Sequence, residues 1–436
     1  MSARQLLTIE NLKPLDKGAP HSHLPDIYGP SGLSFAVNTG DFVAVLGKSG
    51  HGKSTLLELI LGTRPYAGRI VLHRDGRDYP LEHGRQLGVR EFGMMFQDLA
   101  LFDSKTVWDN LAFPLELRGV EPSEQRRRVS DEAEKLQLKT DPASLHRNVK
   151  DLSGGERQRV ALARLLMVPR RLYLFDEPLS SIDNPLHQLV VKQLLQLRKR
   201  LDAEGAAAVY VTHNQAEALS LGNRIIILKD GEGVVQDGPP RTIYQRPLTR
   251  FIAEFVGDPL FNFIPVKLQN AVVCHERTAR EIASRCGGQS RFLRCADLYE
   301  LLLPPNRRWL DEVRFSSQLA LGFRPEAVTP KRDGELATVE LSLKVRIEDC
   351  LFQGEEIVVY GEERDLREPL QIQLTLEEGA GAEPKHILDF AVALPKVILF
   401  YFPHGFVRDV DAEEEGAPPA FGVNVSHYEL SNLDGR

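Results

Sequence analysis

The stretch FVAVLGKSGHGKSTLLELI, residues 42–60, decides the fold of the amino-terminal part of this chain. Its first five residues, 42–46, are all apolar and predict a strand that is covered on both faces. The next eight, Gly47-Lys48-Ser49-Gly50-His51-Gly52-Lys53-Ser54, fit the phosphate-loop pattern GxxxxGK[ST]. The apolar stretch TLLELIL then predicts a helix. Strand, loop and helix in this order are the context in which the pattern binds phosphate.

The chemistry of this loop follows from its glycines and from the helix behind it. Glycines let several backbone N–H groups converge on one anion, and the helix N-terminus adds partial positive charge. In such a loop Lys53 reaches the β- and γ-phosphates of a nucleoside triphosphate, and the Ser54 hydroxyl binds Mg²⁺. A glycine-rich turn without a ligand is the alternative, and the complete strand, loop and helix argue against it. We predict nucleotide contacts from Gly47, Lys48, Ser49, Gly50, His51, Gly52, Lys53, Ser54 and Thr55.

Two adjacent carboxylates, Asp176 and Glu177, follow a second apolar run at residues 172–175. The carboxyl end of a buried strand is where α/β sheets place their chemistry. Asp176 is predicted to lie beside the magnesium ion, and Glu177 to polarise the water that attacks the γ-phosphate. A pair of acids that only neutralises a nearby base is the alternative. The phosphate loop upstream favours the catalytic interpretation.

The sequence pattern predicts two domains. Between about residues 6 and 228, short apolar runs alternate with amphipathic stretches, which predicts a mostly parallel sheet flanked by helices. Turn-rich and proline-punctuated sequence follows, and later stretches such as VELSLKVRIED and EEIVVYGEE alternate as antiparallel strands do. We therefore predict an α/β nucleotide-binding domain at residues 1–235, a linker at 236–259 and a β-rich domain at 260–436.

Composition limits the classes of partner. With 42% hydrophobic and 26% charged residues the chain is globular, and a formal net charge of −7 gives no electrostatic reason to expect nucleic acid. No stretch approaches the roughly 20 apolar residues of a membrane span. We expect a cytosolic protein that serves a membrane by docking onto integral partners. The four cysteines show no CxxC pair and are expected to be buried thiols: Cys274, Cys286, Cys295 and Cys350.

The segment LSGGERQ, residues 152–158, is typical of one protein family. Together with the phosphate loop it resembles the signature of ABC ATPases. Ser153 and Glu156 also have the form of a capping box that opens a helix, and capping alone is the structural alternative. The resemblance implies a P-loop NTPase cassette with a helical subdomain. It also implies that Ser153, Gly154 and Gly155 contact the γ-phosphate of ATP held by a second subunit, in a head-to-tail dimer.

Other segments resemble further elements of the same family. Gln97 resembles the glutamine that links the ATP site to the helical subdomain and the transmembrane partner, and we assign it to catalysis and to Mg²⁺. Asp183, in SSID at residues 180–183, resembles the loop that crosses the dimer interface, and is predicted to contact nucleotide. His213 resembles the histidine that contacts the γ-phosphate and orients the attacking water. Tyr28 is the nearest candidate for the aromatic residue that stacks on adenine.

The resemblance extends beyond the cassette. THNQAEALSLGNRIIILKDG, IYQRPLTRFIAEFVGDPLFNFIPV and LGFRPEAV resemble importer ATPases of the maltose and related carbohydrate class. That class implies a carboxy-terminal regulatory domain of oligonucleotide-binding-like (OB-like) β-barrels. Three residues depart from the family pattern: Lys48 and His51 stand where small or neutral residues are usual, and Asn214 replaces the aspartate after the histidine. These departures leave the phosphate-binding pattern intact.

The expected function is ATP-driven import of a small solute, a carbohydrate or polyol, by a homodimer or a paired ABC subunit on the cytoplasmic face of the inner membrane. ATP and Mg²⁺ are the implied cofactors. Membrane permeases and a solute-binding protein are the implied partners, with no nucleic acid. Importers of spermidine, ferric iron, sulfate or phosphonate share the cassette and remain alternatives. So does a soluble ABC ATPase of translation or DNA repair. A non-hydrolysing sensor is disfavoured by Glu177 and His213.

Overall fold

The computed structural model describes residues 4–15, 27–83, 91–180, 184–257, 261–269, 291–295, 299–303, 319–330, 340–353, 356–363, 370–377, 387–393, 398–401 and 421–424. The chain divides into two compact units, residues 1–240 and 241–436. No described helix is long and apolar enough to cross a membrane.

The first unit alternates strands and helices. Its strands are β1 (Gln5–Pro14), β2 (Leu33–Asn38), β3 (Phe42–Leu46), β4 (Tyr66–Arg74), β5 (Arg77–Leu81), β6 (Phe92–Met95), β7 (Leu172–Asp176), β8 (Ala207–Thr212), β9 (Arg224–Lys229) and β10 (Gly233–Gly238). Its helices are α1 (Lys53–Ile60), α2 (Val107–Glu116), α3 (Pro122–Lys135), α4 (Pro142–Leu145), α5 (Gly154–Leu166), α6 (Asn184–Arg200) and α7 (Gln215–Leu221), with a 3₁₀ turn at Val149–Asp151.

A six-stranded sheet in the order β10-β9-β3-β8-β7-β6 forms the centre of this unit. All its neighbouring strands are parallel except β9 and β10. The prediction of a mostly parallel sheet is therefore confirmed, and the apolar runs at 42–46 and 172–175 lie in β3 and β7. A second, antiparallel sheet has the order β2-β1-β4-β5.

Both faces of the central sheet are covered, which explains the uninterrupted apolar runs. Alternate residues of a strand point to opposite faces. In β8, Ala208 and Tyr210 pack in a cluster with helices α2, α3, α5 and α6, whereas Val209 and Val211 pack in a cluster with α1 and the antiparallel sheet. Burial on both sides fixes the strand ends from which the functional loops leave.

The second unit is rich in antiparallel strands. They are β11 (Asn262–Gln269), β12 (Arg291–Cys295), β13 (Tyr299–Leu303), β14 (Leu319–Phe323), β15 (Val328–Pro330), β16 (Glu340–Gln353), β17 (Glu356–Glu363), β18 (Leu370–Glu377), β19 (Ile387–Ala393), β20 (Ile398–Tyr401) and β21 (Phe421–Asn424). They form sheets ordered β13-β12-β11-β14-β20-β21 and β15-β19-β16-β17-β18. The two alternating stretches singled out in the sequence lie in β16 and β17, which pair antiparallel. The OB-like assignment of this unit stays a prediction.

The segment predicted as a linker, residues 236–259, has regular structure. It begins with the end of β10, and it carries the short helices α8 (Pro240–Gln245) and α9 (Arg250–Phe255). Arg324, in the turn after β14, donates from Nη1 to the carbonyl of Ala253 over 3.1 Å. Its guanidinium lies 4.3 Å from the ring centroid of Tyr244. These contacts attach both helices to the β-rich unit.

Candidate functional site

The phosphate loop has the backbone that its glycines predict. Gly50 and Gly52 have φ of +88° and +78°, in the left-handed region, and Gly52 is the N-cap of α1. A Cβ on Gly52 would lie 2.7 Å from Cε1 of Tyr28. Both the torsion angle and the close packing therefore exclude a side chain at Gly52.

Lys53 is the first residue of α1 and is almost fully buried, with 6% of its surface exposed. Its Nζ donates to the carbonyls of Gly47 and Lys48, each over 2.8 Å. Burial lowers the pKa of Lys53, and the carboxylates of Glu177 and Asp176 partly oppose this effect. The ammonium is thus held against the loop by two carbonyl oxygens, with carboxylates nearby.

A cavity of about 490 Å³ opens at this loop. It brings together the following predicted residues: Ser49, Gly50, Gly52, Lys53, Ser54, Thr55, Gln97, Glu177 and His213. Pro14, Ile27 and Arg64 also line it, and no sequence motif pointed to them. Gly47, Lys48, His51 and Asp176 are not among the lining residues.

Asp176 lies at the end of β7 and accepts a 2.8 Å hydrogen bond from the hydroxyl of Ser54. It is 6% exposed, and burial raises the pKa of its carboxyl, against the effect of the Ser54 hydrogen bond. The contact joins the first turn of α1 to the central sheet. Two oxygen atoms that could bind a hard cation therefore face each other at the end of β7.

Glu177 follows directly and lies against His213. Its Oε1 is 3.0 Å from Nδ1 of His213. Glu177 has φ of +46°, which is uncommon for a residue with a side chain. Its N–H donates to the carbonyl of Val211 over 3.0 Å, and its carbonyl accepts from the hydroxyl of Ser180 over 3.1 Å. These two hydrogen bonds stabilise the strained backbone at Glu177, which directs its carboxylate into the cavity.

The segment LSGGERQ forms the start of α5, and the predicted capping box is confirmed. The N–H of Glu156 donates to Ser153 Oγ over 3.3 Å, and the N–H of Ser153 donates to Glu156 Oε2 over 2.9 Å. This second bond is the main cause of the lowered pKa of Glu156. Ser153 and Gly154 are exposed and do not line the cavity of their own chain. Further along α5, Gln158 Nε2 donates to the carbonyl of Pro178, directly after Glu177.

Comparison with known proteins places this geometry in a family. A family model described as ABC transporter matches residues 30–180. The maltose/maltodextrin import ATP-binding protein MalK of Salmonella typhi is 33% identical over 374 residues, which cover 85% of this chain and 90% of that protein. MalK of Photorhabdus laumondii subsp. laumondii is 35% identical over 333 residues, covering 75% and 80%. The chain belongs to the ABC transporter ATPases.

A solved dimeric ATP-binding cassette, in a post-hydrolysis state with ADP and Pi, is 27% identical to this ABC ATPase. The match has a TM-score of 0.46 and covers 54% of this chain and 99% of that one.

The prediction that Tyr28 stacks on adenine is contradicted by its burial. The Tyr28 side chain is 2% exposed, packs under the phosphate loop and donates from its hydroxyl to the carbonyl of Gly52 over 2.6 Å. Burial also raises its pKa well above the ordinary value. In this ABC ATPase Tyr28 therefore supports the loop from behind. The neighbouring Ile27 lines the cavity instead.

The unusual loop residue His51 also has a structural partner. Its Nδ1 lies 2.9 Å from the carbonyl oxygen of Leu228, in β9. The contact joins the phosphate loop to a strand 177 positions further along the chain. Asn214, the other departure from the family pattern, caps α7 by accepting from the N–H groups of Ala216 and Glu217. An asparagine oxygen does this as an aspartate oxygen would. Asp183 lies outside the described residues.

Proposed function

We propose that this chain hydrolyses Mg²⁺–ATP in the cavity at the phosphate loop and thereby drives carbohydrate import through membrane permeases. The observation that carries the proposal is the convergence of Lys53, Ser54, Gln97, Glu177 and His213 on one cavity. These residues lie up to 160 positions apart in sequence, and each has a chemistry that phosphoryl transfer needs.

The phosphate loop and Lys53 bind the phosphates. Mg²⁺ at nucleotide sites uses one or two protein oxygens together with phosphate and water oxygens. The facing oxygens of Ser54 and Asp176 fit that requirement, and Gln97 brings a further amide oxygen to the cavity. The ion supplies neutralisation of charge on the phosphates.

Glu177 and His213 act on the water. Glu177 Oε1 and His213 Nδ1 are 3.0 Å apart, so one orients the other. The Glu177 carboxylate accepts a proton from the attacking water, and the exposed edge of His213 contacts the γ-phosphate. The hydrogen bonds on either side of Glu177 keep its carboxylate directed into the cavity during this step.

Two such subunits bind ATP between them. The exposed start of α5, with Ser153, Gly154 and Gly155, offers N–H groups and partial positive charge to an anion that does not belong to its own cavity. A partner subunit's γ-phosphate satisfies this requirement in a head-to-tail dimer. Asp183 is proposed to lie at the same interface.

The region around Gln97 docks the permeases. Four large apolar side chains are exposed between the end of β6 and the end of α2: Phe96, Phe102, Phe113 and Leu117. The rings of Phe102 and Phe113 pack edge to face, 4.8 Å between centroids, and the guanidinium of Arg164 lies 5.5 Å from the Phe102 centroid. Exposed apolar groups of this size mark an interaction surface. Because Phe96 adjoins Gln97, movement at this surface reaches the ATP cavity directly.

The cargo class follows from the relatives. The maltose/maltodextrin import ATP-binding proteins match this chain over 80–90% of their own length. We propose a carbohydrate or polyol as the solute, delivered by a solute-binding protein, with the chain held at the inner face of the membrane by its permeases. The β-rich unit, residues 260–436 with the linker 236–259 before it, is proposed to regulate the ATPase.

Two measurements test this proposal. Purified protein should release phosphate from ATP only with Mg²⁺, and Lys53→Ala should abolish both ATP binding and hydrolysis. In cells of the source organism from which the gene has been deleted, uptake of labelled maltodextrin should fall. The wild-type gene should restore this uptake, and the gene for the Glu177→Gln variant should not. Normal maltodextrin uptake with impaired spermidine, iron, sulfate or phosphonate uptake would reassign the cargo. ATP binding without any turnover would indicate a sensor.

A further inference from the structure

The imidazole of His213 is positioned by its backbone and not by packing of its side chain. The imidazole is 60% exposed, so packing against neighbours does not fix it. Its position is set by the backbone turn between the end of β8 at Thr212 and the start of α7 at Gln215. Whatever holds that turn decides whether Nδ1 of His213 stays within reach of Glu177.

A buried carboxylate lies directly beneath this turn. Glu217, in the first turn of α7, is 7% exposed and accepts two hydrogen bonds on its Oε2. One comes from the hydroxyl of Tyr210 over 2.7 Å and the other from the hydroxyl of Thr212 over 2.8 Å. Thr212 Oγ1 in turn accepts from the N–H of Asn214 over 2.9 Å. A continuous hydrogen-bonded chain thus runs from the Glu217 carboxylate around both sides of His213.

The arrangement is more than helix capping requires. Asn214 already caps α7, and a carboxylate that leaves water loses solvation that only good hydrogen bonds restore. Burial and the nearby carboxylate raise the pKa of Tyr210 well above its ordinary value, so the phenol keeps its proton and donates it. On the other side, Nε2 of His187 lies 3.7 Å from Glu217 Oε1. The carboxylate is therefore fixed by groups from β8 and α6.

We propose that Glu217 is a positioning residue for hydrolysis, which acts through Thr212 to hold the turn that presents His213 to Glu177. This inference rests on the proposed function, in which His213 contacts the γ-phosphate. Glu217 does not line the cavity, so its effect is expected on turnover and not on nucleotide affinity.

The two hydroxyls on Glu217 provide a matched pair of variants. Thr212→Val removes the hydroxyl that joins the Glu217 carboxylate to the N–H of Asn214. Tyr210→Phe removes the other hydroxyl on Glu217, which has no link to Asn214. Each deletes one hydrogen bond to the same oxygen at nearly constant shape, so both should lower the thermal unfolding midpoint. Only Thr212→Val should lower kcat, by about tenfold to a hundredfold, because misplacement of a reacting group costs up to that much.

The experiment measures kcat and KM for Mg²⁺–ATP together with the unfolding midpoint of the full chain. Wild-type KM is expected for both variants, with near wild-type kcat for Tyr210→Phe. Thr212→Ser keeps the hydroxyl and should have a kcat near that of wild type. Glu217→Gln should have a higher kcat than Glu217→Ala, because its amide oxygen still accepts from the Thr212 hydroxyl. Equal kcat for Thr212→Val and Tyr210→Phe, or no rescue by Thr212→Ser, would overturn the inference. If Thr212→Val does not fold, the Glu217→Gln and Glu217→Ala pair decides the question in the same way.

His213→Ala, measured beside them, separates this inference from the function on which it rests. Loss of turnover in His213→Ala with wild-type turnover in Thr212→Val refutes only the role of Glu217. Full turnover in His213→Ala refutes the role proposed for His213 and, with it, the positioning role.

Discussion

Replacing Glu177 by glutamine tests the proposed chemistry most directly. Glutamine has the size of glutamate, and its amide oxygen can take the position of Oε1, 3.0 Å from Nδ1 of His213. The backbone bonds to Val211 and Ser180 do not involve the side chain and stay in place. The substitution therefore keeps the shape of the side chain and removes its negative charge, and with it the ability to accept a proton from water.

The size of the effect follows from that property. A positioned general base contributes about 10² to 10⁴ in rate. Since a factor of ten corresponds to about 1.36 kcal/mol, the barrier to hydrolysis should rise by about 2.7 to 5.4 kcal/mol. ATP should still bind, because Lys53 and the phosphate loop keep their contacts and the substitution only removes a negative charge from the cavity. With Mg²⁺–ATP the variant should then accumulate as a stable dimer.

The assay is steady-state phosphate release against ATP concentration, with size-exclusion chromatography in Mg²⁺–ATP. Glu204→Gln is the matched control: it removes one partly exposed carboxylate that lies 3.3 Å from Arg200, and neither residue of this pair lines the cavity. An exposed pair is worth less than about 1 kcal/mol, so kcat of this control should stay within about fivefold of wild type. Near-normal phosphate release by Glu177→Gln would refute the assignment of the base.

Three further outcomes are expected. Ser153→Arg should abolish hydrolysis, measured as phosphate release, while the isolated subunit keeps its ATP affinity. Asp176→Asn should abolish Mg²⁺-dependent hydrolysis and raise the unfolding temperature of nucleotide-free protein near pH 7. Burial raises the pKa of Asp176 in the folded state, so its charge opposes folding at neutral pH. The gain in stability should shrink as the pH falls through the raised folded-state pKa, and it should be gone below the ordinary carboxyl pKa. A chain that ends at Pro240 should fold and bind ATP, because every residue that lines the cavity precedes that point.

Each of these three predictions would be contradicted by a specific result. If Ser153→Arg weakened ATP binding as much as Lys53→Ala, the signature would act within one subunit. A lower unfolding temperature for Asp176→Asn at neutral pH would mean that the charge stabilises the fold. An insoluble fragment ending at Pro240 would show that the β-rich unit completes the core of the cassette. A chain ending at Gly257 is the companion fragment, and it should be less stable, since it keeps α9 without the contact from Arg324.

Local sequence predicted the elements well. The strand at 42–46 and the capping box at Ser153 each depend on residues within a few positions of one another, and both are confirmed. Tyr28 was misassigned because the role of an aromatic side chain depends on what covers it. Tyr28 was chosen as the nearest aromatic candidate in the sequence, whereas its ring lies below the phosphate loop.

The sequence by itself determined which chemistry this protein carries: a loop for phosphate, carboxylates at a strand end, and a helix start that is open to an anion. Local backbone preferences and side-chain type suffice for that, because each motif is contiguous. Only the tertiary structure decided that Ser54 meets Asp176 across 122 positions, that Arg64 reaches the cavity, and that Glu217 lies beneath His213. Those contacts depend on which faces of the sheet and helices pack together, and that choice is made by the burial of the whole unit.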